Sequence, residues 1–121
     1  MKLGLTSEFD AAHSLPGYEG KCARVHGHTY KIEIVVDGTV DEKSGFVIDF
    51  FCLKKILSSS LEDLDHRYLN DIMQNPTAEK IAEHVSSRLK ANLEGLPAKL
   101  VSVKLWEGKN KWVMIDAGDD Q

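Results

Sequence analysis

The sequence predicts an α+β fold built on an antiparallel sheet. Strand-like alternation fills both ends of the chain, and helical periodicity fills the middle. The two kinds of element are segregated rather than interleaved, which argues against parallel βαβ units. The last two strand-like segments are joined only by the tight connection "GKN", which suits antiparallel neighbours. The expected order is β-β-α-α-β-β, a four-stranded sheet with both helices between the second and third strands.

Residues 2–13 read as the first strand. Leu3, Leu5, Phe9, Ala11 and His13 have odd parity and so share a face. "SLPGYEGKC" (14–22) carries Pro16, Gly17 and Gly20 and reads as a loop. Residues 24–36 form the second strand, with His26, His28, Tyr30, Ile32, Ile34 and Val36 on one face. "DGTVDEKSG" (37–45) is a turn region. Asp49 is placed to cap a helix over 50–62, whose apolar stripe is Leu53, Ile56, Leu57 and Leu61. "DLDHRYLND" (63–71) breaks the periodicity with charges. Thr77 in "NPT" caps a second helix, with Ile81, Val85 and Leu89 as its stripe, and Gly95 and Pro97 end it. "LVSVKLWE" (100–107) and "KWVMIDA" (111–117) complete the sheet as a hairpin.

A length of 121 residues suits a single domain, 1–121, and 42% hydrophobic residues suffice for a core. Apolar runs are too short to cross a bilayer. The N-terminal stretch lacks the apolar segment of a secretory signal, so a soluble cytoplasmic protein is expected. Net charge is −4 with no basic block, which argues against a broad nucleic-acid surface. Two cysteines, Cys22 and Cys52, are too few for a disulfide framework.

The chemistry concentrates around "CARVHGH". Residues two apart on a strand point the same way, so His26 and His28 can reach one ion. If the first two strands pair, His13 returns beside them. Three histidines without a fourth protein ligand describe an open catalytic zinc site; the plainer alternative is a set of cross-strand or surface histidines. Cys22 lies four residues before His26, where a nearby metal would favour a thiolate; its alternative is a small packed hydrophobe, the reading that suits Cys52. Asp65 and His66 form a carboxylate–imidazole pair in the interhelical segment, suited to orienting a ring that moves protons, or else a capping acid beside a solvated histidine. His84, inside the second helix, reads as structural. Val101, Val103 and Leu105 form an apolar row in the third strand that Glu107 continues. A carboxylate there either ends the strand in water or accepts two N–H groups from a heterocycle such as a 2-amino-pyrimidinone.

These segments together resemble the 6-pyruvoyltetrahydropterin synthase / 6-carboxytetrahydropterin synthase family. The resemblance rests on "FDAAH", "CARVHGH", "LDHRYLND", "NPTAE" and "LWE", in that order, from about residue 5 to residue 115. It implies the tunnelling fold, with protomers joining sheets into a trimeric barrel and two trimers stacking as a homohexamer. It implies Zn2+ on His13, His26 and His28, Cys22 as catalytic base, Asp65 and His66 as a proton-transfer pair, and Glu107 with Thr77 at the pterin. The implied enzyme is a lyase acting on 7,8-dihydroneopterin triphosphate, a small-molecule substrate, with no nucleic-acid or membrane partner. Three residues separate Cys22 from His26. That spacing is similar to the queuosine-pathway enzymes that make 6-carboxytetrahydropterin and release acetaldehyde and triphosphate. The alternatives are the pyruvoyl-forming reaction, which eliminates triphosphate without acetaldehyde, and a non-catalytic zinc-stabilised pterin- or purine-binding protein. Ser14 stands where many relatives carry Arg, which leaves Lys31 and Arg24 as substitutes for a phosphate contact.

Overall fold

The computed structural model describes residues 1–119. The first strand, β1 (Lys2–His13), pairs antiparallel with β2 (His26–Gly38) in unbroken register, from Lys2 opposite Asp37 to His13 opposite His26. Burial follows the expected parity. Phe9, Ala11 and His13 on β1 and Tyr30, Ile32, Ile34 and Val36 on β2 all face the core. Helix α1 (Phe50–Leu61) starts where Asp49 accepts a hydrogen bond from the Phe51 N–H at 2.9 Å. Helix α2 (Ala78–Leu93) starts where Thr77 accepts from the Lys80 N–H at 3.2 Å. Both caps satisfy amides that the first helical turn leaves without partners. The stripe Ile81, Val85 and Leu89 is fully buried, as are Leu53 and Leu57 of α1. His84 pairs with Asp63 at 2.9 Å, which ties α2 to the segment that follows α1.

Two features depart from the expected sheet. Among the described residues the sheet has five strands, ordered β3 (Arg67–Tyr68), β1, β2, β4 (Ala98–Glu107) and β5 (Trp112–Asp116). The added member is the two-residue β3 (Arg67–Tyr68), between the helices in sequence and parallel to β1 at Ala11 and Ala12. Two residues carry no periodicity to read, so only the meeting of chain segments reveals this strand. The second departure lies in β4 (Ala98–Glu107). Its pairing with β2 shifts between Val35 and Val36, a bulge that places Leu100 opposite Val36 and Ser102 opposite Val35. Strict alternation would have put Val101 in the core row. The extra residue hands that position to Leu100, and Val103, Leu105 and Glu107 keep theirs.

The last strand, β5 (Trp112–Asp116), pairs with β4 as the expected hairpin. Its outer face is aromatic and basic. The Lys31 and Lys104 ammoniums sit 4.9 and 4.7 Å from the Trp106 ring centre, and Lys104 is also 4.1 Å from that of Trp112. Among the described residues no helix is long and apolar enough to cross a membrane.

Leu105 is completely buried in the row that ends at Glu107. Leu105→Ala is expected to cost about 2–5 kcal/mol, through lost apolar transfer and the cavity left behind. Urea unfolding measures it. A loss below about 1 kcal/mol would mean that this row collapses around the gap more freely than a close-packed sheet allows.

Candidate active site

Pairing of β1 with β2 decides the first part of the site. His13 and His26 are direct cross-strand partners, and His28 follows on the same face. Their ring centres lie 4.6 to 5.1 Å apart, and one nitrogen from each ring falls within 4.8 Å of the others. Donors at about 2.0–2.1 Å from one tetrahedral ion sit roughly 3.3 Å apart, so small ring adjustments suffice to hold one.

Hydrogen bonding fixes which nitrogens are available. His13 Nδ1 lies 2.7 Å from the Pro76 carbonyl, and His26 Nδ1 lies 2.7 Å from the Arg24 carbonyl. A carbonyl only accepts, so each Nδ1 carries the proton and each Nε2 presents a lone pair. Those two Nε2 atoms face each other at 3.0 Å. Two lone pairs at that separation repel unless a cation lies against both. His28 Nε2 is buried and lacks a hydrogen-bond partner. The Glu107 carboxylate approaches it to 3.3 Å without hydrogen-bond alignment. Two nitrogens held without protons, converging with a third from His28, fit a divalent metal ion. Cys22 is not a member of this group.

Burial holds the His28 ring below the ordinary imidazole value of 6.5; the Glu107 carboxylate opposes this, and His13, His26 and Lys111 add to it. The sign follows. Below 6.5 the unfolded chain takes up a proton at His28 that the folded chain resists. Acid therefore favours unfolding, and above that value both states are neutral and the effect vanishes. The metal-free protein should lose more thermal stability between about pH 7.5 and about pH 5.5 than its His28→Gln variant. Equal acid losses in the two proteins would remove His28 as the cause.

Tyr30 lies beneath the three rings, stacked on Phe9 with centroids 5.0 Å apart and edge-on to His13 and His28. Burial, reinforced by Glu107, pushes its phenol above the usual range, so it stays neutral. Glu107 pairs with Tyr30 at the end of β4, its half-buried carboxylate turned to His28 as the apolar row requires.

Among the described residues, Cys22, Asp65, His66 and Thr77 make no hydrogen bond to the three imidazoles. Cys22 lies half-buried in a single 3-10 turn, Lys21–Ala23, in a loop closed by the Leu15 N–H donating to the Cys22 carbonyl at 2.8 Å. Its thiol makes no hydrogen bond among the described residues. Asp65 and His66 wrap the edge of β1 at Asp10. The Asp65 carboxylate accepts from the Asp10 N–H at 3.1 Å and meets His66 Nδ1 at 2.9 Å, while the His66 N–H donates to the Asp10 carbonyl at 2.6 Å. His66 takes a left-handed φ of 59° to do so, and its ring is 76% exposed. A cleft of about 580 Å³ opens beside it, lined by Ala12, Gly27, His28, His66, Arg67 and Tyr68. His28 is thus common to the cleft and to the three-histidine group. Thr77 adjoins Pro76, whose carbonyl orients His13. Lys31 is directed to the opposite sheet face, over Trp106, and Arg24 enters through its backbone carbonyl.

The 6-pyruvoyl tetrahydropterin synthase family model matches residues 2–118. The chain belongs to that family. It is an enzyme of the lyase type, and its curated relatives divide by activity. A dihydroneopterin monophosphate aldolase from Pyrococcus furiosus is 44% identical over 110 residues, covering 91% of this chain and 92% of that protein. A putative 6-carboxy-5,6,7,8-tetrahydropterin synthase from Archaeoglobus fulgidus is 40% identical over 115 residues, covering 95% of each. The 6-carboxy-5,6,7,8-tetrahydropterin synthase of Synechocystis is 41% identical over 96 residues, covering 73% of this chain and 74% of that protein. Among solved structures, 6-pyruvoyl tetrahydropterin synthase from Caenorhabditis elegans superposes with a TM-score of 0.85 at 28% identity, covering 96% of this chain and 94% of that one.

Sequence reasoning missed the carbonyls of Pro76 and Arg24 and the phenol of Tyr30. Tyr30 was legible as a member of the histidine-bearing face. The carbonyls were not, because a backbone acceptor has no signature of its own in a sequence.

Proposed function

We propose that this family member converts 7,8-dihydroneopterin triphosphate and water into 6-carboxy-5,6,7,8-tetrahydropterin, acetaldehyde and triphosphate, with zinc on His13, His26 and His28. The observation that carries the reading is the open three-imidazole group with the Glu107 carboxylate against it. Zinc held there would supply a Lewis acid that makes the substrate's side-chain hydroxyls more acidic. Glu107 accepts two N–H groups from the pterin edge, with help from Thr77, which caps α2 next to Pro76. The Cys22 thiolate removes a carbon-bound proton from the side chain. His66, held through Nδ1 by Asp65, accepts and returns protons at oxygen through Nε2. Reducing equivalents move from side chain to ring, so no nicotinamide is consumed. The product would serve a queuosine-type pathway in the cytoplasm, where two unpaired cysteines are at home.

Open edges at β3 and β5 support assembly of copies through their sheets, into trimers and stacked hexamers. Cys22 and His66 stand outside the three-histidine group of one chain, which leaves room for a site completed at a boundary between copies.

A second reading rests on the Pyrococcus furiosus aldolase. The same base and the same metal suit a retro-aldol cleavage of dihydroneopterin monophosphate into 6-hydroxymethyl-7,8-dihydropterin and glycolaldehyde phosphate. One experiment separates the two: the zinc-loaded protein is incubated with each phosphate ester and the products identified. Acetaldehyde with 6-carboxytetrahydropterin from the triphosphate supports the first reading. Glycolaldehyde phosphate from the monophosphate, with no acetaldehyde from the triphosphate, overturns it in favour of the second.

A further inference from the structure

The segment "YLNDIMQNPT" (68–77) enters the site above through Tyr68, the Pro76 carbonyl and Thr77, and it grips the end of β1 at three points. The Asn70 side chain pairs with both backbone groups of Ser14: the Ser14 N–H donates to Asn70 Oδ1 at 2.9 Å, and Asn70 Nδ2 donates to the Ser14 carbonyl at 2.9 Å. The Ser14 hydroxyl meets the Tyr68 hydroxyl at 3.0 Å. Six residues beyond Asn70, the Pro76 carbonyl accepts from His13 Nδ1 at 2.7 Å. Ser14 is 7% exposed and His13 1% exposed, so these bonds are formed away from competing water.

The position explains the need. On its inner side β1 has a ladder partner only as far as His13 opposite His26, and on its outer edge β3 pairs only at Ala11 and Ala12. Beyond His13 the backbone leaves the sheet and would carry unpaired polar groups into a buried place. A carboxamide offers one donor and one acceptor in the geometry of a peptide group, so Asn70 acts as one more rung of ladder. Asn75 takes a left-handed φ of 52°, and its carbonyl accepts from the Thr77 N–H at 2.7 Å; this tight turn aims the Pro76 carbonyl back at His13. Asparagine tolerates that conformation better than most residues.

We propose that Asn70 is a positioning residue for the metal group, acting through His13. Its amide clamp fixes the backbone on which His13 stands, while the Pro76 carbonyl of the same segment fixes the ring's proton on Nδ1 and leaves Nε2 to the metal. The inference rests on the metal reading of the three histidines. Outer partners that orient a ligating histidine typically contribute 10–100-fold in metal affinity.

The test is zinc affinity, measured by competition with a chromophoric chelator on the full chain, without substrate. Asn70→Leu removes both bonds at similar volume and should weaken zinc binding by about 10–100-fold. Ser14→Ala removes only the hydroxyl contact with Tyr68 and should leave affinity within about 2-fold, since the backbone clamp survives. If Asn70 acts through His13, Asn70→Leu should add nothing further in a His13→Ala background, where it no longer has a ligand to position. Wild-type affinity in Asn70→Leu, or the same loss with and without His13, overturns the proposal. Should Asn70→Leu not fold, Asn70→Asp, which keeps the Oδ1 acceptor and loses the donor, is titrated by the same criteria. Failure of the wild-type chain itself to bind zinc would overturn the metal reading instead, so the two failures are distinguishable.

Discussion

Cys22→Ala is expected to abolish most turnover and leave the metal in place. A positioned proton-transfer group typically contributes 10²–10⁴-fold to rate, and a loss of that order in kcat is the expected result. The thiol stands outside the group of nitrogens that can share an ion, so its removal should not change zinc content. Side-by-side measurement of kcat and bound zinc decides the matter. Loss of zinc along with activity would make Cys22 a ligand. Retention of both would make it dispensable and return it to the reading that suits Cys52. Cys22→Ser is a useful companion, because it keeps the volume and replaces the thiol with a hydroxyl that ionises far less readily.

Glu107→Gln is expected to weaken pterin binding by about 10–100-fold, the equivalent of one lost hydrogen bond to a charged group at roughly 1.5–3 kcal/mol. A carboxylate offers two acceptors to the ring N–H and exocyclic amine of a 2-amino-pyrimidinone edge. Glutamine offers one acceptor and turns a donor toward a donor. The effect should appear mainly in KM, or in the Kd of a non-reacting pterin. Glu107 also lies 3.3 Å from His28 Nε2, so zinc content must be followed in the same samples. Unchanged pterin affinity with zinc in place would sink the anchoring role. Reduced affinity that tracks zinc loss would assign the carboxylate to the metal instead.

Much of the fold was legible because its determinants are local. Alternation in β1 and β2 has period two, and it assigned the inward face of both strands, His13, His26 and His28 included. Asp49 and Thr77 cap helices through bonds spanning two and three residues, which a short window of sequence reveals. Where the pattern erred, the cause was an interaction between distant segments. The bulge in β4 exists because β4 must fit β2, and it moved Leu100 rather than Val101 into the core row. The strand β3 exists because the interhelical segment meets the free edge of β1.

The site divides in the same way. The kinds of side chain, and the face that each occupies, were set by the sequence. The spacing of Cys22 and His26 suggested one branch of the chemistry, and a relative at 44% identity is named for another, an aldol cleavage.

The sequence by itself determined that three imidazoles would share one end of one sheet face, because strand alternation and hairpin pairing are properties of neighbouring residues. Only the tertiary structure decided which nitrogen is free in the rings of His13 and His26. His13 takes its proton direction from the carbonyl of Pro76, 63 residues away, and its backbone support from Asn70, 56 residues beyond Ser14. A carbonyl is the same in every residue, and an asparagine's partner depends on what folding brings beside it. The physical reason is that hydrogen bonds are directional over about 3 Å, so an imidazole's orientation is set by contacts that exist only once the chain has closed on itself.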